Sequence, residues 1–302
     1  MTLPLREGRP LRALVAIPAL VALTLTLFAW PAARLEPRDL PLGVVGADAT
    51  TGPSGAFAIH RYADEAAARS AIGDREVYGA VVAARGRTTL LVASAASPVV
   101  AQLLERALAS PGTAVVDVRP APAADPRGAA FAASVLPLVL ASIVLGALLA
   151  FLARPGATRL LLLPGAAVGA GLAADGIVQG WLGVLGGAWW QNAGVLALTL
   201  LAIAASIVAL AGVGGLPGLA LAAALMMLVG NPLSAASSAP ELMPHPFGTI
   251  GQLLPPGAGA SALRGTAYFD GAGTMHGLVV LGVWATAALA VVAIPRLRPT
   301  TR

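Results

Sequence analysis

Residues 128–240 read GAAFAASVLPLVLASIVLGALLAFLARPGATRLLLLPGAAVGAGLAADGIVQGWLGVLGGAWWQNAGVLALTLLAIAASIVALAGVGGLPGLALAAALMMLVGNPLSAASSAP. In these 113 residues the only charged side chains are Arg154, Arg159 and Asp175. A water-facing domain of that length would carry about 28. The stretch is therefore composed for lipid, and it is long enough for four apolar spans separated by short breaks. Whole-chain values agree: hydrophobic residues make up 57%, charged residues 11%, and the mean hydropathy is +0.82.

Working outward, Ala13–Trp30 is a further uncharged run behind an Arg-bearing start. It exceeds the roughly 7–15 apolar residues of a signal peptide and no A-x-A-like site follows, so an uncleaved anchor is expected. At the other end, Gly277–Ile294 reads as a last span followed by Arg296, Arg298 and Arg302. Between the first and second spans, residues 32–129 have ordinary polarity. Short apolar or β-branched runs at Leu42–Gly46, Phe57–Tyr62, Val77–Ala83, Thr89–Ala93 and Ala114–Val118 predict strands, and Asp64–Ile72 and Pro98–Ala109 predict helices. Ser97 before Pro98 has the form of an N-cap with Pro in the first turn.

Within the long stretch the spacing predicts spans at about 130–153, 160–181, 193–211 and 218–235, with a tight hairpin at Gly212–Pro217. Gly165 and Gly169 form a G-x-x-x-G pair, which permits close helix approach. Trp181, Trp189 and Trp190 cluster as an interfacial belt would. Residues 236–274 carry two apolar pieces, Phe247–Leu254 and Ala258–Leu263, too short to cross. Between Pro and Gly breaks they predict an interfacial or re-entrant hairpin. The expected fold is thus a polytopic α-helical membrane protein with six transmembrane helices, a small extracytoplasmic α/β domain between the first and second, and a re-entrant-like outer hairpin before the sixth. The corresponding divisions are residues 1–31, 32–129 and 130–302.

Charge sets the expected orientation. Arg6, Arg9, Arg12, Arg154, Arg159, Arg296, Arg298 and Arg302, against Glu7, place a net +7 at span ends of one side, whereas residues 32–129 hold ten Arg and ten acidic residues. With six spans the positive-inside rule puts both termini in the cytoplasm. The net charge of +5 then belongs to helix ends and makes no nucleic-acid patch.

Several chemistries are excluded or unsupported. All 19 basic residues are Arg, and a Walker A loop needs Lys, so any nucleotide-driven work requires a separate subunit. Cysteine is absent and the three His are far apart in sequence, which argues against a metal site; no cofactor is expected. No G-x-S-x-G or Ser/His/Asp spacing suggests catalysis, and the chain is not expected to be an enzyme. Asp175, the one ionisable residue inside a span, is a candidate for transport or for helix packing. At 1.5 Å per residue from Leu160 it should lie about 22 Å along a core about 30 Å thick, near one headgroup layer. Glu241, His245, Arg264 and Asp270 share the loop before the last span, where they either form a polar mouth or a solvated Arg–carboxylate pair.

The layout resembles the permease subunits of type-2 ABC exporters, in particular the YhgE/Pip-like branch. The residues that carry the likeness are Asn231-Pro232-Leu233-Ser234, Pro240-Glu241-Leu242-Met243-Pro244, Leu254-Pro255-Pro256-Gly257, Leu263-Arg264 and Tyr268-Phe269, with Val77-Tyr78-Gly79-Ala80 and Asp125-Pro126-Arg127-Gly128 in the exported domain. The Arg-only, Ala-rich usage is similar to that of high-GC bacteria. The resemblance implies a homo- or heterodimeric permease for an amphipathic or lipid-like substrate, working with a separate ATPase that Arg154 and Arg159 would contact. The cytoplasmic pieces, about 12 and about seven residues, are short for that purpose against roughly 800 Å² per partner in a standard interface. The alternative is a non-transporting scaffold whose exported domain binds an envelope partner.

Overall fold

The computed structural model describes residues 8–46, 55–84 and 86–294, and for 8–13 the helical backbone alone. Arg6, Glu7, Arg296, Arg298 and Arg302, on which the expected orientation leans, lie outside the described residues, as do the side chains of Arg9 and Arg12.

Mostly helical, the chain also carries one small sheet. Among the described residues five helices are long and apolar enough to cross a membrane: Leu14–Ala33, Ala129–Leu152, Ala157–Trp181, Trp189–Gly230 and Met275–Ala293. Their outward faces are apolar; Phe151, Leu161, Val213 and Leu221 are among the exposed side chains. So much exposed hydrocarbon is tolerable in lipid and an aggregation hazard in water.

The first of these belongs to α1 (Gly8–Ala33), followed by the sheet module: β1 (Leu40–Val45), β2 (Phe57–Arg61), α2 (Glu65–Gly73), β3 (Gly79–Ala84), β4 (Arg87–Val92), α3 (Pro98–Leu108) and β5 (Ala114–Asp117). Strand order is β2-β1-β3-β4-β5. The β3–β4 pair is antiparallel and the other neighbours are parallel. Alternation sends Ala80, Val82 and Leu91 to the face covered by α2, and Val81, Leu90 and Val92 to the face covered by α3. Both faces are buried over most of the length of β1 and β3 and the second half of β4, and these stretches read as near-continuous apolar runs. The Ser97 cap forms as expected, its hydroxyl accepting from the Val100 amide at 3.3 Å.

The bundle comprises α4 (Ala129–Leu152), α5 (Ala157–Asp175, continued by a π-helical turn Gly176–Trp181), α6 (Trp189–Ala224, continued by a π-helical turn Leu225–Gly230), α7 (Phe247–Gln252), α8 (Pro255–Tyr268) and α9 (Met275–Ala293). Asp125 starts α4 by accepting from the amides of Ala130 at 3.1 Å and Phe131 at 2.8 Å. The long α6 is not straight. Gly215 stands at φ 61°, ψ −142°, a conformation that suits glycine, and there the chain folds back on itself. A Cβ on Gly218 would overlap the carbonyl oxygen of Leu210, and Ile203 and Met226 share one buried cluster. Two helical segments result, broken where the sequence placed its hairpin.

Close helix approach does not occur at the G-x-x-x-G pair. Gly165 and Gly169 face open space, whereas a Cβ on Gly171 would stand 2.7 Å from the Ala197 amide nitrogen and one on Gly146 the same distance from the Ala204 carbonyl oxygen. Here α5 and α4 seat against α6. By contrast α1 is loosely held: its upper part carries Leu14 and Val15 exposed, and at its far end Trp30 stacks edge-on against Phe247 at 5.3 Å. The short helix α8 is buried almost throughout, from Pro255 to Ala267, with α6 and α9 beside it. That is the packing expected of a helix too short to span, whose backbone ends must be satisfied by protein.

Candidate functional site

The sheet module does not stand apart from the bundle. Phe269, in the turn between α8 and α9, is 1% exposed and completes the α2-side core, while Ala239 and Leu242 complete the α3-side core. Backbone bonds add to this seam: the amides of Glu36 and Arg38 donate to the carbonyls of Leu242 and Glu241 at 3.1 and 3.0 Å. Side chains cross it too. Arg38 donates to the Leu242 carbonyl at 2.8 Å, Arg75 to the Ser261 carbonyl at 3.0 Å, and the Tyr78 hydroxyl to the Glu241 carboxylate at 2.8 Å.

Inside the seam is an open chamber of about 470 Å³, a volume in the usual range for a small-molecule site. Its charged and titratable wall comprises Arg38, Asp39, Arg75, Glu76 and Tyr78 from the module, and Glu241, His245, Arg264 and His276 from the hairpin and the start of α9. Arg264 is 6% exposed. Its guanidinium lies over the Phe131 ring at 4.8 Å and donates to the Ala236 carbonyl at 2.8 Å. Arg75 enters from the other side, over Phe269 at 5.5 Å, through a slot that exists because residues 265 and 273 lack Cβ atoms: one at Gly273 would stand 3.3 Å from its side chain.

Burial, with Arg75 nearby, lowers the Arg264 guanidinium to about 10, so it stays a cation at neutral pH. Burial likewise lowers Arg75, with Tyr78 and Glu241 pulling the other way. The Tyr78 phenol is raised, first by burial and then by the Glu241 carboxylate, and remains a hydrogen-bond donor. Among the described residues the ion pairs are Arg38–Glu36, Arg69–Glu65 and Arg119–Asp270, so neither Arg75 nor Arg264 is matched by a carboxylate within ion-pair distance. Each spends one donor on a backbone carbonyl, out of the five a guanidinium offers.

Next to the chamber lies a cleft of about 220 Å³ between the end of α1 and α4, bordered by Phe28, Leu35, Val135, Leu136 and Ser238. Met243 lines both spaces. The seam is also where the backbone is least relaxed: the non-glycine residues at positive φ among the described residues are Asp39, Arg75, Ala235 and Asp270. Asp39 and Arg75 line the chamber, Ala235 lines the cleft, and Asp270 pairs with Arg119 at 3.4 Å. Such conformations cost of order 1–3 kcal/mol each and persist where surrounding contacts hold them.

Of the residues singled out from sequence, Glu241, His245 and Arg264 meet in the chamber; Asp270 does not, because Arg119 takes it on the surface. Asp175 lies elsewhere. It is 0% exposed, between α5 and its π-helical turn, and neither carboxylate oxygen has a hydrogen-bond partner. One turn on, Gln179, Asn192 and Thr266 form their own chain, Asn192 donating to Gln179 at 2.8 Å and accepting from Thr266 at 2.7 Å. Arg154 is exposed, and Arg159 donates to the Ala153 and Ala150 carbonyls at 3.1 and 2.6 Å, satisfying the last turn of α4.

Sequence reasoning missed Arg75 as a site residue. It follows Gly73-Asp74 at the end of α2 and reads as an ordinary surface cation; its role depends on partners about 190 positions away, which no local pattern encodes. Tyr78 stood in a quoted motif without a function.

Compared with protein-family models, curated proteins and solved structures, the chain matches none. The chamber therefore has to be read on its own chemistry.

Proposed function

We propose that the chain is the six-span membrane subunit of an ABC-type exporter in a bacterial plasma membrane, with both termini cytoplasmic, the sheet module outside, and a separate ATPase supplying energy. The fold-back at Gly215 divides the longest apolar helix and supports the sixth span. The observation that carries the reading is the chamber: charged groups gathered at one end of an apolar bundle, beside a cleft opening between α1 and α4. An amphipathic or lipid-like substrate needs both environments, a charged one for its head and an apolar one for its chain. α1, held mainly at its far end, leaves the side of the bundle available for a second subunit or for lateral passage. Resemblance to type-2 permeases supplies the energy source, and Arg154, exposed between α4 and α5, is the residue assigned to the ATPase.

The test is purification of the tagged full chain from native membranes. A nucleotide-binding subunit should accompany it, and Arg154→Glu should change the ATP hydrolysis of the complex. Preparations with no such subunit would sink this reading.

One observation favours the scaffold alternative. The α4–α5 connection is only Ala153–Gly156, little surface for an ATPase, whereas the module is bonded firmly to the hairpin. If deletion of residues 35–125 abolishes every partner while no ATPase is ever recovered, the scaffold reading stands.

A further inference from the structure

Two cations meet in the chamber without a carboxylate to match them. Arg75 comes from the module and Arg264 from α8, near enough for the charge of one to be felt at the other. Like charges brought together in a partly desolvated space repel. The chamber wall also carries Asp39, Glu76 and Glu241, but among the described residues none of them stands within ion-pair distance of either guanidinium; Glu241 is held by Tyr78 at 2.8 Å and Glu76 by Tyr62 at 3.3 Å. What would complete the arrangement is an anion with several acceptor oxygens, because guanidinium groups recognise phosphate and carboxylate in bidentate fashion with donors left over here. The neighbouring cleft gives the second clue. Met243 is the shared wall, and the Ala236 carbonyl that orients Arg264 belongs to a residue lining the cleft. A molecule whose head reaches Arg264 therefore has a trough beginning alongside, apolar on the α1 and α4 side at Phe28, Leu35, Val135 and Leu136 and polar on the other at Asn231, Ser234, Ser237 and Ser238.

We infer that the chamber binds the phosphate or carboxylate head of a single anionic amphiphile between Arg75 and Arg264, with the chain of that amphiphile passing Met243 into the cleft between α1 and α4. This rests on the proposed transport reading only in regarding the ligand as substrate; the binding itself does not require it. Glu241 limits affinity, since it places a negative charge in the same chamber. Its removal should tighten binding, an effect opposite in sign to that of losing an arginine.

The experiment uses the full chain purified in a neutral detergent and stripped of lipid, titrated with lysophosphatidic acid, lysophosphatidylcholine and inorganic phosphate. Native mass spectrometry reads occupancy and thermal unfolding reads protection. Lysophosphatidic acid should bind at least about tenfold more tightly than the zwitterionic analogue, and inorganic phosphate far more weakly than either the head and chain together. Arg264→Gln or Arg75→Gln should weaken lysophosphatidic acid about 30-fold, the range for truncating one partner of a desolvated charge pair. Glu241→Gln should strengthen it about tenfold. Met243→Trp should block the amphiphile and spare inorganic phosphate.

Equal binding of the zwitterionic analogue would overturn the charge recognition. Equal binding of inorganic phosphate would make this a site for a soluble anion and overturn the amphiphile. If Arg264→Gln does not fold, Glu241→Gln decides: weaker binding in that variant means the cluster is structural and the inference fails. Selective binding without any ATPase partner leaves the inference standing while the exporter reading falls, and the reverse result separates them the other way.

Discussion

Tyr78 and Glu241, 163 positions apart, are joined by a hydrogen bond of 2.8 Å that ties the sheet module to the hairpin before α9. A phenol donating to a carboxylate is a charge-assisted bond, worth about 1.5–3 kcal/mol when shielded from water. Glu241 also accepts, through its backbone carbonyl, the amide of Arg38, so one residue receives the module at two points. Tyr78→Phe keeps the ring and removes the donor. It should lower stability by about 1–2 kcal/mol, and a double-mutant cycle with Glu241→Gln, read by thermal unfolding in detergent, should return a coupling of similar size. Additive effects would mean that the bond contributes nothing.

Phe269 fixes the same seam from the bundle side. It is 1% exposed in the module's core, and Arg75 and Arg119 lie over its ring at 5.5 and 6.0 Å. Phe269→Ala should cost about 3–5 kcal/mol at that contact. The expected readout is limited proteolysis: cleavage between α1 and α4 should accelerate sharply while the bundle itself remains resistant. Unchanged cleavage would show that the module is held by other contacts.

The part of this architecture that depends on periodicity was legible in the sequence. Strands β1 to β5 fall within two residues of the apolar runs that announce them, the Ser97 cap forms, and the 212–217 break coincides with Gly215. Local rules suffice for such features because the signals, alternation, capping and chain reversal, are local. The chamber was legible only in its hairpin half. Glu241, His245 and Arg264 lie within 24 positions of one another, but Arg75 and Tyr78 join them by tertiary packing of two modules. For Asp175, expected in transport or in helix packing, rise per residue gives depth along the helix and says nothing of which face its neighbours cover, so its complete burial was not legible. The G-x-x-x-G pair marks where close approach is permitted, whereas within this chain Gly171 and Gly146 are where it occurs.

That distinction between permitted and actual contact can be measured. A Cβ on Gly171 would stand 2.7 and 2.8 Å from the backbone of Ala197, which cannot yield without separating α5 from α6. Gly171→Ala should therefore destabilise by about 1–3 kcal/mol despite the better helix propensity of Ala. Gly165→Ala and Gly169→Ala meet open space and should be neutral or slightly stabilising. Thermal unfolding of the three variants in one detergent checks the ordering; a cost at Gly169 in the intact membrane but not in monomeric detergent preparations would assign that face to a second copy.

Asp175 carries the sharpest energetic anomaly in the bundle. Among the described buried side chains it alone has oxygen atoms with no hydrogen-bond partner, and both of its oxygens are so placed. An ionised carboxylate removed from water and left unpaired costs several kcal/mol, and replacing such a group with a neutral one of similar shape is commonly neutral or stabilising. If Asp175 only fills space between α5 and its neighbours, Asp175→Asn and Asp175→Leu should both raise the unfolding temperature and leave vesicle transport or partner assembly intact. A group retained at such a cost for transport behaves differently: the same two variants would gain stability and lose function together. The control, at a half-buried residue, is Gln179→Ala, which breaks the neighbouring bond to Asn192 at 2.8 Å and should lower stability by about 1 kcal/mol in either case. We expect stabilisation by Asp175→Asn, and a fall in unfolding temperature comparable to that of Gln179→Ala would show that the carboxylate is partnered in the membrane after all.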